Sequence, residues 1–414
     1  MGRGVIHVRL RLAKNVEKFN WGKAMSAIAA SMDRPTYAAH AQAMAIYGVA
    51  GLELAERIGN RGPVRLDSNG KLDADILEAY WKNGYYVFEN VVNMEEVSEL
   101  RADAQRMLDG APVSPSSNLD RQGRRALGRD AAREPFTLIA PLSDPTGGTE
   151  INSGRHPSRM AEPVPQADAP GYVVHRMRGM CEYMPSGLRV YGHPLLLAVA
   201  SSINGDDFVP FNDVIFVKQP GLGGSVAWHQ DGVTHWNSPG WDQGVHGFNY
   251  QVQLYPTTAA NALWVMPGTH KQGRIDIKKR VEENGGNDRL PGAIPLICRP
   301  GDVTIVNRQT LHGSFANTSP DMRISITFGF HRRRSVLGAK AALSMASQNV
   351  TYDETRIARR AAVIAIAVQA RHRRFPEEKA FRYLPFVGRE KEFDLDDEER
   401  TRALRDYNLD DLAI

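Results

Sequence analysis

The chain has little cysteine: Cys181 and Cys298 are the only two in 414 residues. Two thiols are too few for a disulfide framework or a cysteine-ligated metal site. Their scarcity points to a reducing compartment, the cytoplasm. Long apolar runs are also missing. Stretches such as Ala361 to Ala367 fall far short of a bilayer span, and no long apolar h-region of a secretory leader is found. No membrane segment is therefore expected. Net charge is nearly absent, at a formal +4 with no clustered basic face, which argues against a nucleic-acid partner. Acids are scarce in the first fifty residues, where Glu17 and Asp33 alone interrupt a basic stretch. Organelle transit segments share that composition, but a surface helix, or a later start at Met25 or Met32, is the simpler reading.

What is present suits one catalytic domain with terminal additions. The expected division is an N-terminal extension over residues 1–66, a domain over 67–340 and a charged helical extension over 341–414. Leu72, Ile76, Leu77 and Tyr80 recur at helical spacing, and Asn83-Gly84 stops that helix. Tyr85 to Phe88 reads as a short strand. Asn93 then caps a second helix, with Glu96 as its capping-box partner. Residues 110–171 are rich in Pro, Ser, Gly, Asp and Arg and lack periodicity, as in a long functional loop or cover. Beyond Val209, short β-rich runs alternate with turn residues: Val214 to Val217, Tyr250 to Tyr255, Leu263 to Met266, Val303 to Val306 and Ile324 to Phe330. That pattern predicts a mainly β sandwich or barrel with flanking helices.

Of twelve histidines, only His229 is followed two positions later by an aspartate, in Trp228-His229-Gln230-Asp231. At a strand end that spacing puts both side chains on one face. One imidazole and one carboxylate are two-thirds of the facial triad used by iron(II) oxygenases. Alone the pair is a weak signal, because a solvated His and Asp at a strand end is the commoner arrangement. The downstream run strengthens it. The turn Arg299-Pro300-Gly301-Asp302 leads to an apolar strand, then Leu311-His312-Gly313-Ser314, Asn317-Thr318-Ser319 and a strand opening at Arg323. An antiparallel pairing would place His312 at a strand end with Arg323 on the adjacent strand. A guanidinium binds a carboxylate with two parallel hydrogen bonds, and a metal-chelated oxoacid requires such a partner at its far end.

These residues, with Met266-Pro267-Gly268-Thr269-His270-Lys271 and the early Asn83-Gly84-Tyr85-Tyr86-Val87, resemble the phytanoyl-CoA dioxygenase family over roughly residues 70–335. The eleven-residue step from His312 to Arg323 matches that family's step from distal histidine to co-substrate arginine. The resemblance implies a double-stranded β-helix, or jelly roll. It implies His229, Asp231 and His312 as ligands of Fe(II). It implies 2-oxoglutarate held by Arg323 with Ser314 beside it, O2 as oxidant, and hydroxylation of a small organic substrate. A gap-free count also puts Tyr250 near the co-substrate. Asp231 argues against halogenation, since related halogenases lack this carboxylate. Two other readings stay open: a jelly-roll sensor or scaffold without turnover, and a metal-dependent lyase or isomerase on the same barrel.

Weaker signals surround this set. Trp236 and Trp241 follow the first ligands, and either contact substrate or pack their loop. His235 and His246 are minor candidates for extra ligands, His270 sits in a structural turn, and Lys218 is expected to face water. The helix from Glu354 to Arg374 carries an apolar stripe suited to core packing or to a homodimer contact. Its arginines read as a solvated face, or as a site for an acidic substrate.

Overall fold

A computed structural model describes residues 34–211, 213–340 and 350–410. The described residues from Pro35 onward form one unit. Among them, the strands make two sheets. The larger has nine strands in the order β1 (Arg61–Gly62), β2 (Tyr85–Phe88), β11 (Val303–Asn307), β8 (Gly247–Gln253), β13 (Arg323–His331), β6 (Val214–Lys218), β4 (Val173–Arg178) and β3 (Phe136–Ile139), with β5 (Val209–Pro210) beside β13. The smaller runs β10 (Ile294–Pro295), β9 (Trp264–Val265), β12 (His312–Ser314) and β7 (Val226–His229). Every neighbouring pair is antiparallel except β1 with β2. The two facing sheets, with helices outside them, are the double-stranded β-helix core that the motifs implied, although the strands do not close into a barrel.

Alternation decides what each strand offers the interior. On β13 the side chains of Ile324, Ile326, Phe328 and Phe330 join the main apolar core. Phe248, Tyr250 and Val252 on β8 and Ile215 and Val217 on β6 join it too. The principal helices are α1 (Tyr37–Ile58), α2 (Ala74–Asn83), α3 (Met94–Asp109), α4 (Pro185–Tyr191), α5 (Pro194–Asn204), α6 (Glu354–Arg374) and α7 (Asp397–Leu409). Helices α3 to α6 contribute Val97, Tyr191, Leu197 and Ile364 to that same core. The opposite strand face, one residue out of phase, is left for polar side chains.

The smaller sheet has its own core, around Trp228, Trp264 and Phe315. Helix α1 covers it: Tyr47 stacks on Trp264 with ring centroids 4.3 Å apart and 11° between planes. Gly51 permits this approach, because a Cβ there would lie 2.7 Å from the Trp264 ring.

Helix α2 ends at Asn83 with Gly84 in the left-handed region, and Tyr85–Phe88 follows as the strand its composition indicated. Asn93 caps α3 by accepting from the Glu96 N–H. Glu96 does not complete a capping box. Its buried carboxylate receives the Arg371 guanidinium of α6 at 2.7 Å instead. The other α6 arginines that read as solvated are likewise paired. Arg374 meets Glu95 and Glu99, Arg373 meets Asp394, and Arg356 and Arg359 meet Asp410. These pairs tie the C-terminal segment to α3 and to itself. The apolar stripe of α6 is buried within the chain. No helix among the described residues is long and apolar enough to cross a membrane.

Candidate metal centre

The last residue of β7 and the first of β12 are cross-strand partners, His229 and His312. Pairing sets their rings 4.1 Å apart, centroid to centroid. Two residues on, Asp231 turns back to the same spot, its backbone N–H held by the Arg308 carbonyl at 2.8 Å. The ligand atoms of His229, Asp231 and His312 lie within 4.8 Å of one another, and all three residues are buried. His229 Nε2 stands 3.6 Å from Asp231 Oδ1, and His312 Nε2 stands 3.8 Å from Asp231 Oδ2.

Both imidazoles are oriented by the same local device. His229 Nδ1 pairs with the carbonyl of Ala227, and His312 Nδ1 with that of Thr310, each at 2.8 Å. A carbonyl only accepts, so Nδ1 carries the proton and Nε2 presents its lone pair to the site. Burial pushes both pKa values below the usual histidine range, which favours the neutral form a metal needs. Burial alone would raise the Asp231 pKa, but the Arg155 guanidinium beside it outweighs that and holds the carboxyl well below the usual range. Arg155 Nη1 donates to Oδ1 at 2.7 Å, and Asn249 Nδ2 donates to Oδ2 at 2.9 Å. Two neutral nitrogens and one carboxylate, converging with open positions beside them, fit an iron(II) facial triad.

The triad borders a cavity of about 170 Å³ between the sheets. Across it lie the inward-facing residues of the large sheet. Arg323 is buried, donating to Gln251 Oε1 at 2.7 Å and to the Asn261 carbonyl at 3.1 Å. Its Nε is buried with no partner, so the fork has unused donor capacity. Burial lowers its pKa to about 10, which leaves it a cation at neutral pH. Ser314, two residues after His312 on β12, lines the same cavity. An unspent guanidinium donor opposite the triad, with a hydroxyl on the triad's own strand, fits the far carboxylate of an oxoacid.

Several expectations are corrected here. Arg323 and His312 are not on adjacent strands of one sheet. They face each other from different sheets, because the chain crosses over at Asn317-Thr318-Ser319. Tyr250 faces the helical layer, with its hydroxyl donating to the Leu196 carbonyl at 2.9 Å. Its neighbours Asn249 and Gln251 line the cavity instead, since a one-residue difference on a strand reverses the face. Lys218 is buried rather than solvated, and its Nζ donates to the carbonyls of Gly224 and of Phe315, the latter at 2.6 Å.

Trp236 and Trp241 do not line the metal cavity. Trp236 sits under the Arg274 guanidinium, 3.9 Å from its ring, in a neighbouring cleft. Trp241 packs on His246 and over Gly232. His235 and His246 stack on each other and bond to Ser335, apart from the triad. His270 pairs with the Trp81 carbonyl at 3.0 Å, as a structural turn residue.

The 110–171 segment reaches the site. Thr146, Asn152, Arg155 and His156 form part of the cavity wall, and the His156 ring lies 4.4 Å from that of His229. Nothing in the local sequence marks these residues, because aperiodic loops carry no register. The segment also contributes β3, which pairs with β4 around a bulge. Thr137 pairs with Arg176 and Leu138 with Val174, leaving His175 as the extra residue. Bulges re-aim side chains beside active sites, and His175, Arg176 and Arg178 all line the cavity.

Comparison with known proteins gives the family. The family model for phytanoyl-CoA dioxygenase matches residues 80–325. Phytanoyl-CoA dioxygenase 1 of Oryza sativa subsp. japonica is 31% identical over 117 residues, which are 27% of this chain and 40% of that protein. Phytanoyl-CoA dioxygenase of Arabidopsis thaliana is 22% identical over 261 residues, covering 61% of this chain and 87% of that protein. Among solved structures, EctD from S. alaskensis with 2-oxoglutarate and 5-hydroxyectoine is 18% identical, with a TM-score of 0.45 over 66% of this chain and 81% of that one. The family match spans well over half of the sequence, and the chain belongs to the phytanoyl-CoA dioxygenase family of iron(II)- and 2-oxoglutarate-dependent oxygenases.

Proposed function

We propose that the chain hydroxylates a C–H bond of a small organic substrate, coupled to conversion of 2-oxoglutarate to succinate and carbon dioxide. The observation that carries this reading is the buried His229–Asp231–His312 cluster facing Arg323 across one cavity. His229, Asp231 and His312 would hold the iron, and Arg323 with Ser314 would hold the far carboxylate of 2-oxoglutarate. Bound together, iron(II), 2-oxoglutarate and dioxygen supply the oxidising power for C–H attack. The protein's own contributions are positional. The two carbonyl-bound Nδ1 atoms fix the histidines, Arg155 and Asn249 fix the carboxylate, and the 110–171 segment walls off water. Arg323 favours this reading over a lyase or isomerase that does not consume 2-oxoglutarate and so has no need of a carboxylate anchor there. The test is a substrate panel scored by succinate release and by incorporation of labelled dioxygen. Succinate without an oxygenated product would redirect the assignment to another oxidation.

Asp231→Ala removes the one anionic donor and leaves Arg155 buried beside a gap. Hydroxylation is expected to be lost, with halide binding weak at most. Unchanged hydroxylation in this variant would show that another residue supplies the third ligand. The wall formed by the 110–171 segment gives a second expectation, because segments that close over substrate become ordered on binding. Limited proteolysis within it should slow when iron, 2-oxoglutarate and substrate are all present. Cleavage indifferent to every ligand would make the segment a fixed part of the wall.

A further inference from the structure

Arg155 comes from the aperiodic 110–171 segment, yet it donates directly to a triad ligand, Asp231 Oδ1, at 2.7 Å. The loop that carries it is pinned from within. The buried carboxylate of Asp144 accepts from the backbone N–H groups of Gly147 at 2.9 Å and Met160 at 2.8 Å. The Gly148 N–H closes the same loop onto the His156 carbonyl at 2.8 Å. His156 in turn rests its ring against that of His229. A fixed loop therefore presents Arg155 to the triad.

The ion pair is nearly dry: the Arg155 and Asp231 side chains are 15% and 8% exposed. Charges in that setting act on one another with little screening. Burial alone would raise the Asp231 pKa, and the Arg155 cation reverses that direction. Other cations near the triad are engaged elsewhere. Arg308 bonds to His331, and Arg323 to Gln251 and Asn261. Asn249 donates to the second oxygen of Asp231 at 2.9 Å but brings no charge. One carboxylate is thus shared between a fixed guanidinium and the position where a metal would sit. A divalent metal there has Arg155 as a like charge beside it. A trivalent metal meets the same cation with half as much charge again, so the repulsion falls more heavily on the trivalent state. The hydrogen bond to Oδ1 also draws electron density from the one anionic donor, which tunes the metal in the same direction.

We propose, building on the oxygenase reading above, that Arg155 is a positioning residue that poises the metal in the divalent state, acting through Asp231. Iron(II) is the form that reading requires at rest. An ion pair supplied by the covering segment would make it harder to remove one electron from that iron.

The test is the iron(III)/iron(II) potential of the full chain loaded with iron alone, with one electron passing between the metal and a redox mediator. A unit charge a few ångströms away, even at surface-like screening, exceeds one tenfold step. Arg155→Gln is therefore expected to lower the potential by at least about 59 mV, a tenfold shift toward iron(III) for one electron. Arg155→Met, a second neutral variant, should match it. Arg155→Lys keeps the charge and should restore more than half of the difference. Asn249→Ala removes a hydrogen bond from the same carboxylate but no charge, and should shift the potential by less than half as much.

An unchanged or raised potential in the neutral variants would overturn the proposal. So would Arg155→Lys behaving like Arg155→Gln, or Asn249→Ala matching it, because the effect would then belong to a hydrogen bond and not to the charge. Failure of both neutral variants to fold would make Arg155 structural and overturn it as well. The oxygenase reading fails by a different result, the absence of iron binding by the unaltered chain.

Discussion

His229→Ala and His312→Ala should each abolish substrate-dependent succinate formation while the far-ultraviolet circular dichroism stays native. Each ring makes one hydrogen bond, to a backbone carbonyl two residues back, so little of the fold depends on it. Each supplies one of three donors that converge within 4.8 Å. Loss of a residue that merely orients a ligand costs roughly 10–100-fold in metal affinity or activity, so loss of a ligand itself should exceed about a hundredfold. Turnover and iron content, measured on the same preparations, check this. Either variant retaining substrate-dependent turnover would remove the metal assignment.

Arg323→Met should weaken 2-oxoglutarate binding and leave iron affinity nearly unchanged. A charge-assisted contact to a carboxylate contributes about 1.5–3 kcal/mol, which is roughly tenfold to 150-fold in binding. Methionine keeps much of the stem's bulk and removes the fork. Arg323→Lys should fall between, keeping charge without planar geometry. Pairing of Arg323 with the surface acid Asp321 would have made both variants silent. The side chain instead points inward to Gln251 and Asn261. Anaerobic calorimetry reads the difference, and unchanged 2-oxoglutarate affinity in both variants would move the protein toward a lyase or isomerase.

The legible parts of this protein are those written in short-range pattern. His229 and Asp231 share a strand end, so their spacing shows their common face. Short β-rich runs between turn residues mark β6, β11 and β13, and Asn83-Gly84 and Asn93 mark the helix ends beside β2. What stayed hidden depends on contacts between distant residues. Arg371 and Glu96 are 275 positions apart, so one helix charge that looks solvated is in fact half of a buried pair. Lys218 faces inward because two carbonyls from separate loops receive its ammonium. Tyr250 shows how a register argument fails: the strand is where the motif count puts it, and the face is the other one. Arg176 lies on Val173–Arg178, whose composition shows no alternation and whose bulge at His175 breaks the period. Arg155 and His156 come from a loop with no period at all, and only the folded chain sets them beside the triad.

The central claim is that one cavity holds iron on His229, Asp231 and His312 and 2-oxoglutarate on Arg323. Anaerobic titration of 2-oxoglutarate into the full chain, with and without iron(II), tests it most directly. The account predicts a single iron(II) per chain and 2-oxoglutarate binding that depends on that metal and is weakened by Arg323→Met. Binding of equal strength without iron, or none to the iron-loaded chain, would contradict it.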